Sequence, residues 1–330
     1  MRERRLDKCA KVRKMLTTFT FCFGTYFRRK NMDVRIITDS GSDILPDLAC
    51  EWGITVIPLT VRFGDEEFYD GVTLSREQFY NRLIESDELP KTSQITPGRY
   101  EEAFRAALDA GEEIVCLVLS ADISGSYQSA CIAKANIAEE DPAAAERIHL
   151  VDTQQFCGSE YIQVHWAVQL RDQGFSAAQI AEKVDAQKGH ARVLALFDTL
   201  EYLKLGGRIS PVAAAAGGLL SIKPVVTIEK GVVEVIGKAR GSLKGNNMLN
   251  EFIEKVGGVD WGKPIVLCYT GLSRIKLNKY LKDSAHLYQN HYAAEEIPVS
   301  HVGATIGTYT GPGAIACAFY SINGDVKLAG

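Results

Sequence analysis

The order of strand-like and helix-like segments between residues 34 and 187 constrains the fold more than any other feature of this sequence. Short runs rich in apolar and β-branched residues, such as residues 34–38 and 114–119, alternate with segments of helical periodicity, such as residues 127–138. This alternation is typical of a mainly parallel sheet that helices cover on both faces. The sequence therefore predicts a three-layer α/β fold for this part of the chain.

The pattern changes after residue 190. Two strand-like runs, residues 225–229 and 232–236, flank Lys230-Gly231 and predict a hairpin. Helices and strands follow without strict alternation, which favours a second domain of the α+β class. Three segments are predicted: a basic, disordered extension at residues 1–32, an N-terminal α/β domain at residues 33–190 and a C-terminal α+β domain at residues 191–330.

Two local expectations concern segments between these larger elements. Residues 54–63 are predicted as one strand, which Pro58 makes an edge or irregular strand. Residues 91–98 are rich in hydroxyl and amide groups and are predicted as a loop. Thr96 in this loop is expected to cap a helix that has Pro97 at its first position.

The charge of the chain is unevenly distributed. Residues 1–31 contain ten Lys/Arg and two Asp/Glu, a net of +8, whereas the whole chain carries −4, so residues 32–330 carry −12. An acidic body argues against a general nucleic-acid-binding surface.

The basic tail contains one largely apolar stretch, residues 16–27, which is too short and too polar for a membrane span. Arg28-Arg29-Lys30 follows where a signal peptide would need small residues at a cleavage site. We interpret the tail as an upstream extension and expect the folded, cytoplasmic protein to begin near Met32. The alternative is an anchor that lies on a membrane surface.

The sequence contains none of the motifs that bind common cofactors. No G-x-G-x-x-G follows a strand, and neither a P-loop nor a G-x-S-x-G nucleophile elbow is present. The eight cysteines form no C-x-x-C pair and are expected to be buried free thiols in a reducing compartment. The six histidines show no metal-ligand spacing. No metal or cofactor is therefore predicted.

Residues 305–314 combine three glycines and a proline with the hydroxyls of Thr308, Tyr309 and Thr310. The segment is predicted as a loop after a strand at residues 299–308. Glycine lets the backbone approach a ligand closely, and proline fixes the chain. Such a loop can present hydroxyl and N–H groups to a small anionic group. The alternative is an ordinary Gly-Pro turn.

Arg208 is the second candidate for holding an anion. It follows two glycines and precedes a helix predicted at residues 212–219, which Ser210 would cap. An Arg beside the free N–H groups of a helix N-terminus can receive a carboxylate or a phosphate. The alternative is an Arg that packs its stem and pairs with a neighbouring carboxylate.

Loops after the predicted strands supply further polar groups. Residues 39–43 either face a ligand or cap the next helix, and residues 120–126 form a similar loop. Thr92 and Ser93 add hydroxyl donors. None of these groups forms an evident nucleophile–base pair, so the chemistry favours holding an anion over breaking a bond.

Several motifs, in this order, resemble those of the bacterial DegV family. They are DSGSD at 39–43, TSQ at 92–94, ISGSYQS at 123–129, LKLGGRIS at 203–210 and GTYTGPG at 307–313. Each is weak alone, but together they are specific, and the resemblance extends from residue 34 to the C-terminus. It implies a two-domain α/β protein that holds a lipid between its domains.

The resemblance also implies a function and site residues. The protein would bind a long-chain fatty acid and present its carboxylate to a partner fatty acid kinase, without catalysing a reaction itself. Transient contact with a membrane is compatible with this role, and no nucleic acid partner is expected. The implied carboxylate-binding residues are Thr60, Thr92, Ser93, Thr308 and Tyr309. The implied residues that face the head group, the phosphate or the kinase are Ser124, Gly125, Gly207 and Arg208.

The sequence departs from the family pattern at Tyr309, where the family commonly has histidine in GTHTGPG. Tyrosine donates one hydrogen bond but does not become a cation near neutral pH, since its reference pKa is about 10 against about 6.5 for histidine. The resemblance therefore supports carboxylate binding by this chain more strongly than it supports a part in phosphoryl transfer. Two other functions stay open: an acyl hydrolase or transferase that uses Ser124 or Ser93, and a regulatory module for another anionic ligand.

Overall fold

The computed structural model describes residues 34–209 and 222–328, which contain β-strands, α-helices and two 3₁₀ helices, Ser40–Ser42 and Lys188–His190. The strands are β1 (Val34–Asp39), β2 (Thr55–Ile57), β3 (Thr60–Phe63), β4 (Glu66–Tyr69), β5 (Lys91–Ser93), β6 (Glu113–Val118), β7 (Ile148–Asp152), β8 (Ala191–Leu196), β9 (Ile222–Glu229), β10 (Val232–Arg240), β11 (Val266–Tyr269), β12 (Val299–His301) and β13 (Ile315–Tyr320). The α-helices are α1 (Pro46–Trp52), α2 (Arg76–Glu85), α3 (Pro97–Asp109), α4 (Ser126–Glu140), α5 (Pro142–Glu146), α6 (Gly158–Asp172), α7 (Ala177–Gln187), α8 (Glu201–Gly206), α9 (Ser242–Lys255), α10 (Ile275–Asp283), α11 (Ala285–Tyr288) and α12 (Ala304–Thr310).

The N-terminal half is built on a parallel sheet with the strand order β2-β1-β6-β7. Its central strands are almost completely buried, which is why they read as continuous apolar runs rather than alternating ones. Helices α3 and α4 pack against each other and on the sheet, and so do α6 and α7. The predicted α/β architecture is confirmed.

The second half is built on a six-stranded mixed sheet with the order β10-β9-β8-β13-β11-β12. The predicted hairpin is confirmed, and its turn places both Lys230 (φ 50°) and Gly231 (φ 82°) in the left-handed region. Helix α9 packs on β8, β9 and β10. This α+β half completes the predicted fold class, whereas the predicted boundary between residues 190 and 191 stays a prediction.

Helix α6 lies between the two sheets. It contacts β1 and β6 of the parallel sheet and β8, β11 and β13 of the mixed sheet. Its first residue, Gly158, approaches the mixed sheet so closely that a Cβ there would lie 2.8 Å from Cβ of Ala318 and 2.9 Å from Sγ of Cys268. A helix buried on several sides holds both halves of the molecule in contact.

The first difference from the sequence predictions is at Pro58. The strand predicted at residues 54–63 is two strands, with β2 in the parallel sheet and β3 in a separate antiparallel sheet of order β4-β3-β5. Proline has no N–H for a ladder bond, so the chain leaves one sheet there and joins another. The third strand, β5, lies where a loop was predicted. Its polar residues pair only with β3, as expected of an edge strand.

The second difference concerns residues 299–308, predicted as one strand. Only β12 is extended, and the chain then forms α12, so Thr308, Tyr309 and Thr310 stand on a helix and not in a loop. The N–H groups that begin this helix have remote acceptors. Gly303 N donates to Asp43 Oδ1 at 2.7 Å, and the N–H groups of residues 304 and 305 donate to the two oxygens of Asp70, each at 2.9 Å.

Two smaller expectations have mixed outcomes. Thr96 stands at the N-cap of α3, but its side chain makes no capping bond there. Cys116, Cys157, Cys268 and Cys317 are buried free thiols, whereas Cys50 is exposed and Cys131 is half-buried, contrary to the expectation of burial. The predicted extension at residues 1–32 and the helix at residues 212–219 lie outside the described residues.

Among residues 34–209 and 222–328, no helix combines the length and the apolar character that crossing a membrane requires.

Candidate functional site

The main cavity has a volume of about 650 Å³, within the range of small-molecule sites. Both halves of the molecule form its wall. Leu119 and Phe156 come from the N-terminal half, whereas Val193, Phe197 and Val226 come from β8, the residue after it and β9. The wall is mainly apolar and is therefore suited to a hydrocarbon chain.

Tyr309, near the C-terminal end of α12, is one of several polar residues on the cavity wall. Thr92 and Ser93 of β5 and Ser124 and Gly125 of the loop before α4 also line the cavity. The hydroxyls of Thr92 and Tyr309 are joined by a hydrogen bond of 2.5 Å, in which either can be the donor. We call Thr92, Ser93, Tyr309 and Arg208 the polar rim.

Arg208 reaches the rim by lying over the tyrosine. Its Cζ is 5.0 Å from the centre of the Tyr309 ring, and its Nη1 donates to the Gly206 carbonyl at 2.8 Å. Gly206 gives the ring room, because a Cβ at this position would lie 2.2 Å from Cδ1 of Tyr309. The arginine is exposed, so its charge faces solvent at the edge of the cavity.

The structure places three of the predicted residues away from the cavity wall. Thr308 is fully buried, and its hydroxyl donates to the Ala304 carbonyl within α12 at 2.9 Å. Thr60 pairs with both Tyr69 and Ser93 in the middle of the antiparallel sheet. Gly207 ends α8 in the left-handed region, with φ at 68°. The remaining six predicted residues line the cavity: Thr92, Ser93, Ser124, Gly125, Arg208 and Tyr309.

Buried carboxylates at the other end of α12 were not predicted as a group. Residues 39–43 face inward: Asp39 accepts hydrogen bonds from Gly41 N at 2.8 Å and from Leu119 N at 2.9 Å. Burial raises the pKa of Asp39 to about 7 despite these donors, and it raises the pKa of Asp43 to about 7 as well. Burial also raises the pKa of Glu160 well above its ordinary value. Within this loop Asp43 supports the start of α12 by accepting the bond from Gly303 N, and residues 39–43 are not among those that line the cavity.

A model of the DegV family, described as one of uncharacterised proteins, matches residues 33–321. The chain belongs to the DegV family. A DegV domain-containing protein of Caldanaerobacter subterraneus subsp. tengcongensis is 31% identical over 286 residues, which are 87% of this chain and 98% of that protein.

Solved structures of similar proteins have the same fold. A DegV family protein from Thermus thermophilus, reported for its fatty acid binding, is 30% identical with a TM-score of 0.76, and the match covers 88% of this chain and 100% of that one. A stearic acid-binding protein from Eubacterium ventriosum is 26% identical with a TM-score of 0.76, covering 87% and 97%. The fatty acid kinase B3 protein of Streptococcus pneumoniae, loaded with linoleic acid, is 24% identical with a TM-score of 0.75, covering 88% and 100%.

The site of this DegV protein contains no evident nucleophile–base pair among the described residues. Ser124 Oγ bonds Ser126 Oγ at 3.0 Å, and no histidine of the described chain lines the cavity. Asp122 lies on the wall but forms no hydrogen bond with Ser93 or Ser124 there. This geometry does not support the hydrolase or transferase alternative. No cluster of potential metal ligands is found in the described part of the chain.

Two cavity residues of this DegV protein were not predicted as site residues, although both lie in segments that the sequence singled out, residues 91–98 and 305–314. Gln94 donates to Ser129 Oγ at 3.0 Å and lies where a Cβ at Gly125 would collide with its side chain. Thr305 lines the cavity from the first turn of α12, a position that is visible only once residues 304–310 are known to be helical.

Proposed function

We propose that this DegV protein binds a long-chain fatty acid, with the hydrocarbon chain in the apolar cavity and the carboxylate at the polar rim. The Thermus thermophilus and Eubacterium ventriosum relatives, which are reported to bind fatty acids, support this ligand class. A hydrocarbon chain would displace water from an apolar wall, which is favourable in proportion to the area buried.

The observation that carries the proposal is the hydrogen bond between Thr92 and Tyr309 at the edge of this cavity. The two hydroxyls come from a strand, β5, and a helix, α12, and lie 217 positions apart in the sequence. One hydroxyl of this pair donates to the other, so the accepting hydroxyl keeps its hydrogen free to donate to a carboxylate oxygen. Bonds to a charged acceptor are stronger than neutral ones. Arg208 adds a positive charge over the tyrosine ring.

We further propose that the protein presents the bound carboxylate to a partner fatty acid kinase and does not itself transfer the phosphate. The motif resemblance supports this step; the Streptococcus pneumoniae neighbour, at 24% identity, supports the fold alone. Ser124, Gly125 and Arg208 would then face the kinase or the incoming phosphate. A carrier of this kind would act in the cytoplasm and would need no cofactor besides its lipid.

The test is mass spectrometry of lipids extracted from protein purified without added fatty acid, followed by binding to the delipidated protein. We expect a co-purifying long-chain fatty acid and saturable uptake of hexadecanoic acid. The variant Ser93→Ala should weaken uptake, whereas Thr308→Val, which alters a hydroxyl outside the cavity, should not. Absence of any bound fatty acid together with no uptake would contradict the proposal.

The kinase step needs a separate measurement. Adding a fatty acid kinase and ATP to the loaded protein should convert the bound acid to an acyl phosphate. If loaded protein with such a kinase gives no product while a known carrier does, binding stands and presentation to the kinase fails.

A further inference from the structure

Two free thiols are neighbours where the two halves of the molecule meet. Cys157 immediately precedes α6, and Cys268 lies on β11 of the mixed sheet. Both are buried, and both are among the residues that line the main cavity. A Cβ at Gly158 would lie 2.9 Å from Sγ of Cys268, so the main chain beside Cys157 packs directly on that sulfur.

The backbone of Cys157 has an unusual conformation. Its φ of 58° and ψ of −141° lie in a region that residues with side chains rarely occupy, and such a conformation persists only where the surrounding structure imposes it. The N–H of Cys157 donates to the Gly41 carbonyl at 2.7 Å, and Gly158 lies against β11. The fold therefore fixes this cysteine relative to both halves of the molecule.

The contact between the two thiols affects the acidity of Cys157. A hydrogen bond with the Cys268 thiol and burial, together with the nearby Asp43, raise the pKa of Cys157 well above its ordinary value. Such a bond requires neighbouring sulfur atoms, and so does a disulfide. Because a protonated thiol is a poor nucleophile, this pair should oxidise more slowly than a catalytic cysteine does.

We propose that Cys157 and Cys268 are a redox-sensitive pair, which a hydroperoxide such as hydrogen peroxide converts to a disulfide in the cavity wall. One sulfur attacks a peroxide oxygen and loses its proton, the O–O bond breaks, and a sulfenic acid and one water form. The other thiol then attacks the sulfenic sulfur, which forms the S–S bond and releases a second water. The two sulfurs supply the two electrons that reduce one peroxide.

The disulfide would connect the two halves of the molecule by a covalent bond. Helix α6 contacts β1 and β6 of the parallel sheet, and Cys268 belongs to the mixed sheet. Both halves form the cavity wall, so the bond would restrain any movement between them that lets a ligand pass. This effect on ligand exchange rests on the proposed fatty-acid binding, whereas formation of the disulfide does not.

The test is peptide mass mapping of the full chain after treatment with hydrogen peroxide, with the remaining thiols blocked before digestion. We expect a peptide pair linked through Cys157 and Cys268, which forms over minutes to hours and is lost on treatment with a thiol reductant. Oxidised protein should exchange a bound fluorescent fatty acid about threefold to tenfold more slowly than reduced protein.

Three variants assign the effect to this pair. Cys157→Ala and Cys268→Ala should each remove both the linked peptides and the slower exchange. Cys317→Ala removes another buried free thiol, which does not line the cavity, and should keep both effects. The mapping of the unmodified protein decides whether the disulfide forms even if a variant fails to fold.

Two results would overturn the proposal. If hydrogen peroxide leaves both thiols reduced, or oxidises them without linking them, the pair does not form a disulfide. If the linked protein exchanges fatty acid as fast as the reduced protein, the disulfide does not restrain the cavity. Formation of the disulfide in a protein that binds no fatty acid would instead refute the proposed function and the effect on exchange, and would confirm the redox-sensitive pair.

Discussion

The two ends of α12 are held in opposite ways. At its beginning, the carboxylates of Asp43 and Asp70, both at most 4% exposed, accept the backbone N–H groups of residues 303–305. At its other end, Tyr309 is held by one hydroxyl bond to Thr92 and by a stacked, exposed Arg208. The buried end fixes the helix in the fold, whereas the other end is partly exposed and its contacts join residues that line the cavity.

The strongest test of this contrast is Asp70→Ala. The substitution leaves two buried N–H groups without their acceptor, so the free energy of unfolding should fall by about 2–4 kcal/mol. Asp70→Asn keeps one acceptor oxygen and should lose less. Urea unfolding measures both. A stability within error of the unmodified protein for Asp70→Ala would show that the buried end does not anchor the helix.

The dependence of stability on pH provides the second test. Burial raises the pKa of Asp39 and of Asp43 from 3.8 to about 7. A raised pKa means that the folded state binds the proton more tightly than the unfolded state does. Proton binding by these two groups therefore stabilises the folded state fully below pH 3.8, and this stabilisation is lost as pH rises toward 7. These groups should therefore make the protein less stable at neutral pH than at mildly acidic pH, by about 1–3 kcal/mol.

A buried histidine acts in the opposite direction and needs a control. Burial lowers the pKa of His165 from 6.5 to about 4, so its contribution is lost as pH falls below 6.5. The informative quantity is therefore the difference between the unmodified protein and Asp43→Asn in urea unfolding across this range. The free energy of unfolding should fall less toward neutral pH in Asp43→Asn than in the unmodified protein. Identical pH profiles for the two proteins would contradict a raised pKa at Asp43.

The buried end also shows what the sequence could and could not predict. The turn predicted at Lys230-Gly231 is a local signal, and the structure has it. The helix at residues 304–310 has no local cap, because its acceptors are Asp43 and Asp70, more than 230 positions earlier. The local sequence gives no sign of these two acceptors, and its β-branched residues therefore predict a strand at residues 299–308.

The sequence predicted some of the cavity residues but not the direction that each side chain faces. Thr92, Ser93, Arg208 and Tyr309 lie in motifs that the family resemblance identified, and all four line the cavity. Thr308 belongs to the same motif but points into its own helix, because residues 308 and 309 are separated by about 100° on a helix. A motif gives residue types in order, whereas the side that each one faces depends on the secondary structure.

At the partly exposed end, Tyr309→Phe tests the hydroxyl bond to Thr92. The variant keeps the ring beneath Arg208 and loses one donor, so fatty-acid affinity should fall by about 0.5–1.5 kcal/mol with little change in stability. Displacement of a fluorescent fatty acid measures the affinity. Tyr292→Phe is the matched control, because Tyr292 is a partly buried tyrosine that packs near Trp261 and does not line the cavity. Unchanged affinity in Tyr309→Phe would show that the hydroxyl does not hold the head group.

The smallest expected effect is that of Arg208→Gln. An exposed cation over an aromatic ring contributes about 0.5–1 kcal/mol, and its attraction for a carboxylate weakens as salt rises. The loss of fatty-acid affinity should therefore be measurable at low ionic strength and fade at high ionic strength, whereas the loss in Tyr309→Phe should not. Arg208→Lys keeps the charge without the planar stack and should lie between the two. A loss of affinity that does not depend on salt and that Arg208→Lys does not relieve would mean that Arg208 acts by packing on Tyr309. The two residues would then form one fixed wall, and this end of α12 would be as rigid as the buried one.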